Sequence, residues 1–399
     1  ESRPGADAEA DAAAAARQRD DAWSLDDFQV APAEGMARFH DFDLPPEIMH
    51  AVHDLGFEYC TPIQEQVLQH VHSRRDLCGR AQTGTGKTAA FLIHIFTGFL
   101  ERERTSQQRR PGVPRALILA PTRELVLQII RDAEDLGRHC GFRSIAVYGG
   151  MDHAKQRRQL EGGKVDLVAA TPGRLLDFMG SRVIDLSAID VLVLDEADRI
   201  LDMGFIPDVK RIIRRTTPKE KRCTYLFSAT LDERVRRLAA QWMQPDPIQC
   251  EVEDEEVAAE RVQQIVYTTT ADRKFAVLYN LLQQPEVKRV LIFCNRRSTT
   301  SKLNELLWRH DITCEELSGS VRQKKRLRIL DDFRSGKLKV VVATDVAGRG
   351  LHVDDISHVI NYEFPYEAED YVHRIGRTGR AGREGISISF ACEEESFVI

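Results

Sequence analysis

Short, mostly apolar runs recur along this chain, and stretches with amphipathic helical spacing lie between them. ALILA (116–120), IAVY (145–148), DLVAAT (166–171), VLVLD (191–195) and TYLFSAT (224–230) form a first set. QQIVYTT (263–269), RVLIFC (289–294), TCEEL (313–317), KVVVAT (339–344), HVINY (358–362) and ISISFA (386–391) form a second. Runs of this kind suit buried parallel strands, and intervening segments such as RELVLQIIRDAEDLGRHC suit the helices that cover them. Strands alternating with helices predict an α/β fold built on doubly wound parallel sheets. The chain has 399 residues, more than one core usually serves, and the acidic stretch EVEDEEVAAE (251–260) separates the two sets. We therefore expect an acidic, Ala-rich and disordered extension over 1–36, a first domain over 37–250, a linker over 251–262 and a second domain over 263–399. No internal repeat relates the two domains.

Charge is distributed unevenly. Residues 1–35 carry nine acids against three bases, which accounts for the whole net charge of −6. The rest of the chain balances to zero, so any surface for a polyanion must be local. In the extension, Trp23, Leu25, Phe28 and Val30 read either as a short partner-binding segment or as incidental apolar residues in a flexible tail. No apolar run approaches the length of a membrane helix, and no secretory pattern opens the chain. The eight cysteines form no CxxC pair and no zinc-finger spacing, which suits reduced thiols in a cytoplasmic protein.

AQTGTGKT (81–88) is the sharpest local signal. It matches the phosphate loop GxxxxGK[ST] except that Ala81 stands at the first glycine. Gln82, Thr83, Gly84, Thr85 and Gly86 would wrap backbone N–H groups around phosphate oxygens. Lys87 would place its charge on the β- and γ-phosphates, and Thr88 would offer a hydroxyl to Mg²⁺. The apolar helix that follows adds its positive N-terminal end.

VLVLDEADRI (191–200) then acquires a partner. In open α/β sheets ligands sit beyond the carboxyl ends of the strands. Asp195 would hold Mg²⁺ there, and Glu196 would orient or deprotonate the attacking water. An acidic turn opening a helix would look the same in isolation. HRIGRTGRAGR (373–383) supplies cations. Arg377 and Arg380 would share one face if the segment is helical and would stabilise a γ-phosphate in transit, while Arg374 and Arg383 read as outer residues of a basic surface helix. ATP would then bridge the two domains, with hydrolysis requiring closure.

Two further segments, APTRELVLQ (120–128) and ATPGRLLDF (170–178), follow apolar runs and open amphipathic stretches with Thr and Pro, and Gly149 and Gly150 after IAVY allow close backbone approach. Free N–H groups at such helix starts, with Arg123 and Arg174 beside them, suit a polyanion lying across several strand ends.

Taken in order, these motifs make the chain resemble the DEAD-box RNA helicases of superfamily 2. GFEYCTPIQ (56–64), AQTGTGKT, PTREL, GG, TPGR, DEAD (195–198), SAT (228–230), LIFCN (291–295), QKKR (323–326), ATDVAGRG (343–350) and HRIGRTGR (373–380) carry the likeness over roughly residues 37–395. The resemblance implies two tandem RecA-like domains and an RNA-dependent ATPase that uses ATP and Mg²⁺ to separate short duplexes locally. It implies that Gln64 reads the adenine edge, that Phe39 stacks on the base and that Gly348 borders the nucleotide. Pro121, Thr122, Arg123, Gly150, Thr171 and Arg174 would hold the RNA backbone in the first domain; Gly319, Gln323, Arg326 and Thr344 would do so in the second. Asp198, Ser228, Thr230 and His373 would couple the two activities.

Two positions depart from the family pattern. Cys60 replaces a proline, which need only fill space. His352 replaces the aspartate of RGLD, which removes a carboxylate from the ribose. His352, QKKRLRIL (323–330) and FACEEES (390–396) are similar to one bacterial subgroup, the helicases of RNA-degrading assemblies. That likeness implies a cytoplasmic monomer with an RNase E type scaffold as partner. An ATP-gated RNA clamp that unwinds little without its partner, and a DNA translocase of the same superfamily, are the competing readings.

Overall fold

The computed structural model of the chain describes residues 23–81, 84–102, 110–252, 262–348, 353, 356–366, 368–379 and 385–392. The chain divides into two compact units, residues 1–253 and 254–399.

The first unit is built on seven strands: β1 Leu77–Arg80, β2 Ala116–Leu119, β3 Ser144–Val147, β4 Leu167–Ala170, β5 Val191–Leu194, β6 Cys223–Ser228 and β7 Ile248–Glu251. They lie in the order β3-β4-β2-β5-β6-β1-β7, and every pairing is parallel. Helices α1 Pro46–Asp54, α2 Pro62–Leu68, α3 Lys87–Arg102, α4 Arg123–Leu136, α5 His153–Glu161, α6 Pro172–Gly180, α7 Ala197–Asp202, α8 Ile206–Ile213 and α9 Glu233–Trp242 flank the sheet.

The unbroken apolar character of the strands has a direct cause. Val191 and Val193 enter one core with Phe91, Phe96 and Phe99 of α3, while Leu192 and Leu194 enter a second with Val235, Leu238 and Trp242 of α9. Each of those four strand residues is buried, a contribution of about 1.5–3 kcal/mol apiece.

The second unit has six strands, β8 Val262–Thr268, β9 Val290–Cys294, β10 Cys314–Leu317, β11 Val340–Thr344, β12 His358–Asn361 and β13 Gly385–Ala391, in the order β10-β11-β9-β12-β13-β8. All of its pairings are parallel as well. Its helices are α10 Lys274–Leu282, α11 Arg297–Arg309, α12 Gln323–Arg334, α13 Asp345–Gly348 and α14 Ala368–Ile375. Again the strands feed two cores, Leu291 and Phe293 on one side, Val290 and Ile292 on the other.

The structure adds to the sequence reading in three places. β1 and β7 are strands where no apolar run was read. The disorder expected over 1–36 does not extend through residues 23–36: Trp23 stacks on His50 of α1, Phe28 is buried, and a 3-10 turn spans Leu25–Asp27. Apolar surface on α1 gives those aromatics something to cover, which composition alone does not reveal. Residues 1–22 and the core of the expected linker, 253–261, lie outside the described residues. The eight cysteines are free thiols, and no helix among the described residues is long and apolar enough to cross a membrane.

Candidate functional site

The phosphate-loop motif sits where β1 hands over to α3. Gly84 and Gly86 both take left-handed backbone (φ 92° and 89°), open to glycine at little cost. Lys87 opens α3 and is buried, its Nζ donating to the carbonyl of Ala81 at 2.7 Å. Thr88 follows it on the helix. Thr85 lies between the two glycines, whereas Gln82 and Thr83 lie outside the described residues.

Gln64 closes the loop from outside. It forms a reciprocal cap with Thr61 at the start of α2, and its Nε2 donates to the carbonyl of Gly86 at 3.3 Å. A Cβ on Gly86 would come within 2.5 Å of that nitrogen. Here the Gln64 carboxamide faces the loop, leaving one N–H and one lone pair for a base edge. Phe39 differs from expectation more sharply. Its ring is fully enclosed, 0% exposed, and stacked on Phe57 at 6.2 Å, so the face expected to meet adenine is turned into the core.

The carboxylates gather at the end of β5. Asp195 is 2% exposed, and burial pushes its carboxyl up to about 6, with Lys87 pulling the other way and Glu196 adding to the rise. Glu196 caps α7 in the left-handed region, φ 52° and ψ 55°. That conformation costs a non-glycine residue roughly 1–2 kcal/mol. It holds the side chain in a buried position, where Arg199 Nη1 donates to Oε2. Asp198 points elsewhere. Its Oδ2 accepts from the backbone N–H groups of Ala229 at 3.1 Å and Thr230 at 3.3 Å, and its own N–H donates to Ser228 Oγ at 3.2 Å. Asp198 is thus hydrogen-bonded once to Ser228 and once to Thr230, the two residues expected beside it, with a third bond to Ala229 between them.

The neighbouring strand ends form a second cluster. Thr122 caps α4, accepting from Leu125 N–H, with Pro121 buried just before it. Arg123, at the first turn of α4, lies against the turn after β3: a Cβ on Gly150 (φ 83°) would run into its guanidinium. Arg174, on α6 behind Thr171, donates both Nη groups to the carbonyl of Met151 at 3.4 Å. Three motifs distant in sequence thus meet at the carboxyl ends of β2, β3 and β4.

In the second unit, Thr344 ends β11 and is buried, and Gly348 is a close-approach position whose Cβ would collide with Phe293. Gly319 packs under Arg297: a Cβ there would lie 2.8 Å from Nη2. Arg326 lies one turn into α12; the Gln323 side chain lies outside the described residues.

Two expectations for the basic segment need correction. The helix α14 ends at Ile375, so Arg377 stands in the turn after it and not on a helix. Arg377 is buried, with Nε donating to the carbonyl of His373. Arg380 and His352 lie outside the described residues. Arg374, read as an outer surface residue, is 1% exposed and joins Asp345, Asn361, Glu363 and Asn295. Its guanidinium finds five acceptor contacts at the ends of three strands, which overrides the usual preference of arginine for the surface.

Sequence reasoning missed Arg199, Arg297 and the partners of Arg374. The i, i+3 spacing of Glu196 and Arg199 on a helix was the one available signal.

The comparisons agree with this architecture. A family described as DEAD/DEAH box helicase matches residues 61–238, and one described as Helicase conserved C-terminal domain matches 273–382. The chain belongs to the DEAD/DEAH box helicase family and is an enzyme of the ATP-dependent RNA helicase class. Among curated proteins it is similar to "ATP-dependent RNA helicase RhlB" of Pseudomonas putida, 54% identical over 368 residues covering 92% of each chain. It is also similar to the RhlB of Shewanella frigidimarina, 45% identical over 90% of this chain and 82% of that one. Among solved structures it is similar to S. cerevisiae Dbp5 bound to RNA and ADP BeF3 (TM-score 0.77, 31% identity, 90% of each chain). The DEAD-box helicase Mss116 bound to ssRNA and UDP-BeF is similar too (TM-score 0.78, 30% identity, 90% of this chain and 75% of that one).

Proposed function

We propose that this chain grips RNA along its backbone without reading sequence, hydrolyses ATP in response, and separates short duplexes locally in bacterial RNA decay. The observation that carries the reading is the division of one sheet edge. β1 and β5 bear Lys87 and the Asp195–Glu196 pair at their ends, β2, β3 and β4 bear Thr122, Arg123, Gly150 and Arg174, and Asp198 is bonded to the segment after β6. Main-chain N–H groups, glycines and arginines suit phosphate and 2′-OH contacts rather than base edges.

Mg²⁺ fits the residues present. A carboxyl that burial pushes up to about 6 gains from a divalent cation beside it, and the Thr88 hydroxyl offers a second hard oxygen. When bound, the ion would neutralise charge on the β- and γ-phosphate oxygens. Asp195 and Thr88 would hold it, directly or through water. Glu196 orients the attacking water and accepts its proton, its carboxylate fixed by Arg199. Lys87 leaves the Ala81 carbonyl for the phosphates. Arg377 and Arg380 add positive charge to the transferring phosphoryl group. Gln64 and Gly348 bound the nucleotide, and Phe39 reaches the base only after its ring turns out of the core. Gly319, Gln323, Arg326 and Thr344 extend the RNA contacts, and His373 joins the coupling group.

The partner we infer is an RNase E type scaffold, in the cytoplasm, from kinship with relatives named RhlB. ATPase measured with and without RNA, beside strand displacement on a short duplex with and without such a scaffold, tests the reading. RNA-stimulated ATPase with displacement supports it. Equal stimulation by DNA and RNA would overturn it. The zero net charge of residues 36–399 favours one second reading, a clamp: RNA-stimulated ATPase with no displacement until the scaffold is added.

A further inference from the structure

Away from every motif above, α1 carries His50 and Asp54 four residues apart, a spacing that puts both side chains on one helical face. The segment after α4 brings His139 to the same point. His139 Nε2 lies 2.9 Å from Asp54 Oδ2, and His50 Nε2 lies 3.8 Å from Asp54 Oδ1. One ligand-type atom from each of the three residues falls within 4.8 Å of the others. We propose that His50, Asp54 and His139 form a binding site for a divalent transition ion of the zinc type.

Two imidazoles and a carboxylate are a donor set that zinc-type ions take. Two ligands bonded at about 2.1 Å stand about 3.0–3.4 Å apart across right-angled to tetrahedral geometry, so the Asp54–His139 pair, at 2.9 Å, need open only slightly to reach ligating separation. The His50–Asp54 pair must close by a few tenths of an ångström. Binding moves the His139 ring proton from Nε2 to Nδ1, freeing the Nε2 lone pair for the ion.

His50 also has to tilt. Its ring is stacked on His139 at 3.7 Å with an interplanar angle of 2°, and parallel rings confine their in-plane lone pairs to two separate planes, so both cannot aim at one ion. Trp23 covers the other side of His50 at 4.3 Å. Metal binding is therefore coupled to the Trp23 stack. Arg138 competes for the same carboxylate, Nη1 standing 3.6 Å from Asp54 Oδ2. Its side chain is 53% exposed and already pairs with Asp135, so it can yield the site. His53 Nδ1, 3.7 Å from Asp54 Oδ1, is available as a further donor.

The test titrates the full chain with Zn²⁺, followed by calorimetry and by tryptophan emission, with Mg²⁺ as the control ion. We expect one saturable site for Zn²⁺, an emission change, and a raised melting temperature. His139→Gln and Asp54→Asn should each weaken binding by at least about tenfold. Trp23→Phe should abolish the emission change while leaving the calorimetric binding intact. Co²⁺ bound to the unmodified chain should give d–d bands of a nitrogen–oxygen site. No zinc binding by the unmodified chain, undiminished binding in both ligand variants, or a cobalt–thiolate band from the cysteines would each overturn the proposal.

Discussion

Arg374 and Asp345 meet fork to fork, Nε to Oδ1 at 2.6 Å and Nη2 to Oδ2 at 2.7 Å, inside the second unit. The same guanidinium also binds Asn295 at the end of β9 and Asn361 at the end of β12. Losing it would take a donor from a carboxylate, two amide oxygens and the Glu363 carbonyl. Arg374→Ala should destabilise the second unit by about 3–5 kcal/mol, the usual cost of breaking a buried pair from one side. Arg374→Lys should recover little, since an ammonium cannot satisfy a fork. Urea unfolding of the variants measures both.

Glu196 combines a strained backbone with a proposed chemical role. Glu196→Gln should abolish ATP turnover while nucleotide and RNA binding persist. Glu196→Gly should be equally inactive and yet relieve the φ 52° strain, offset by the lost Arg199 pair. Turnover close to normal in the Gln variant would remove Glu196 from the chemistry.

A Cβ on Gly150 would sit where the Arg123 guanidinium now lies. Gly150→Ala should displace the guanidinium and strain a backbone at φ 83°. RNA affinity should fall, and the salt dependence of binding should lose about one phosphate contact. Basal ATPase without RNA should change little, because the nucleotide residues sit on other strands. RNA binding measured across a range of salt concentrations reads the effect.

His94 sets a pH dependence for the first unit. Its Nε2 meets the carbonyl of His70 at 2.9 Å, so that nitrogen carries the proton, and Nδ1 accepts from Tyr225 Oη. Burial holds its pKa down to about 4. The unfolded chain takes up a proton near about pH 6.5 while the folded ring stays neutral, so stability is full above that value. It should be lost progressively as pH falls from about 6.5 to about 4, by on the order of 2–3 kcal/mol. His94→Phe should be less stable at pH 8 and show a flatter decline through that window. Denaturant unfolding at a series of pH values decides it.

Much of this was legible in the sequence, for a physical reason. Val191 to Leu194 are buried on both faces and so must be apolar at every position, which leaves an unmistakable run. β1 escaped notice because Gly79 must leave room for Phe227 and Arg80 closes the strand with a charge. β7 is an edge strand whose residues alternate between buried and exposed. Motif order gave the site residues their roles, but not their partners. Arg374 looked like surface because its acceptors come from positions up to 79 residues away. The resemblance sets Phe39 against a base, but nothing local in the sequence says that its ring is enclosed.

The strand order also bears on synthesis. β1, first in the chain, hydrogen-bonds only to β6 and β7, with Leu77 beside Tyr225 and Ile248. A nascent chain that has not yet released residues 223–251 from the ribosome has no sheet position for β1. The strand that leads into the phosphate loop therefore has no sheet partner until almost the whole first unit has emerged.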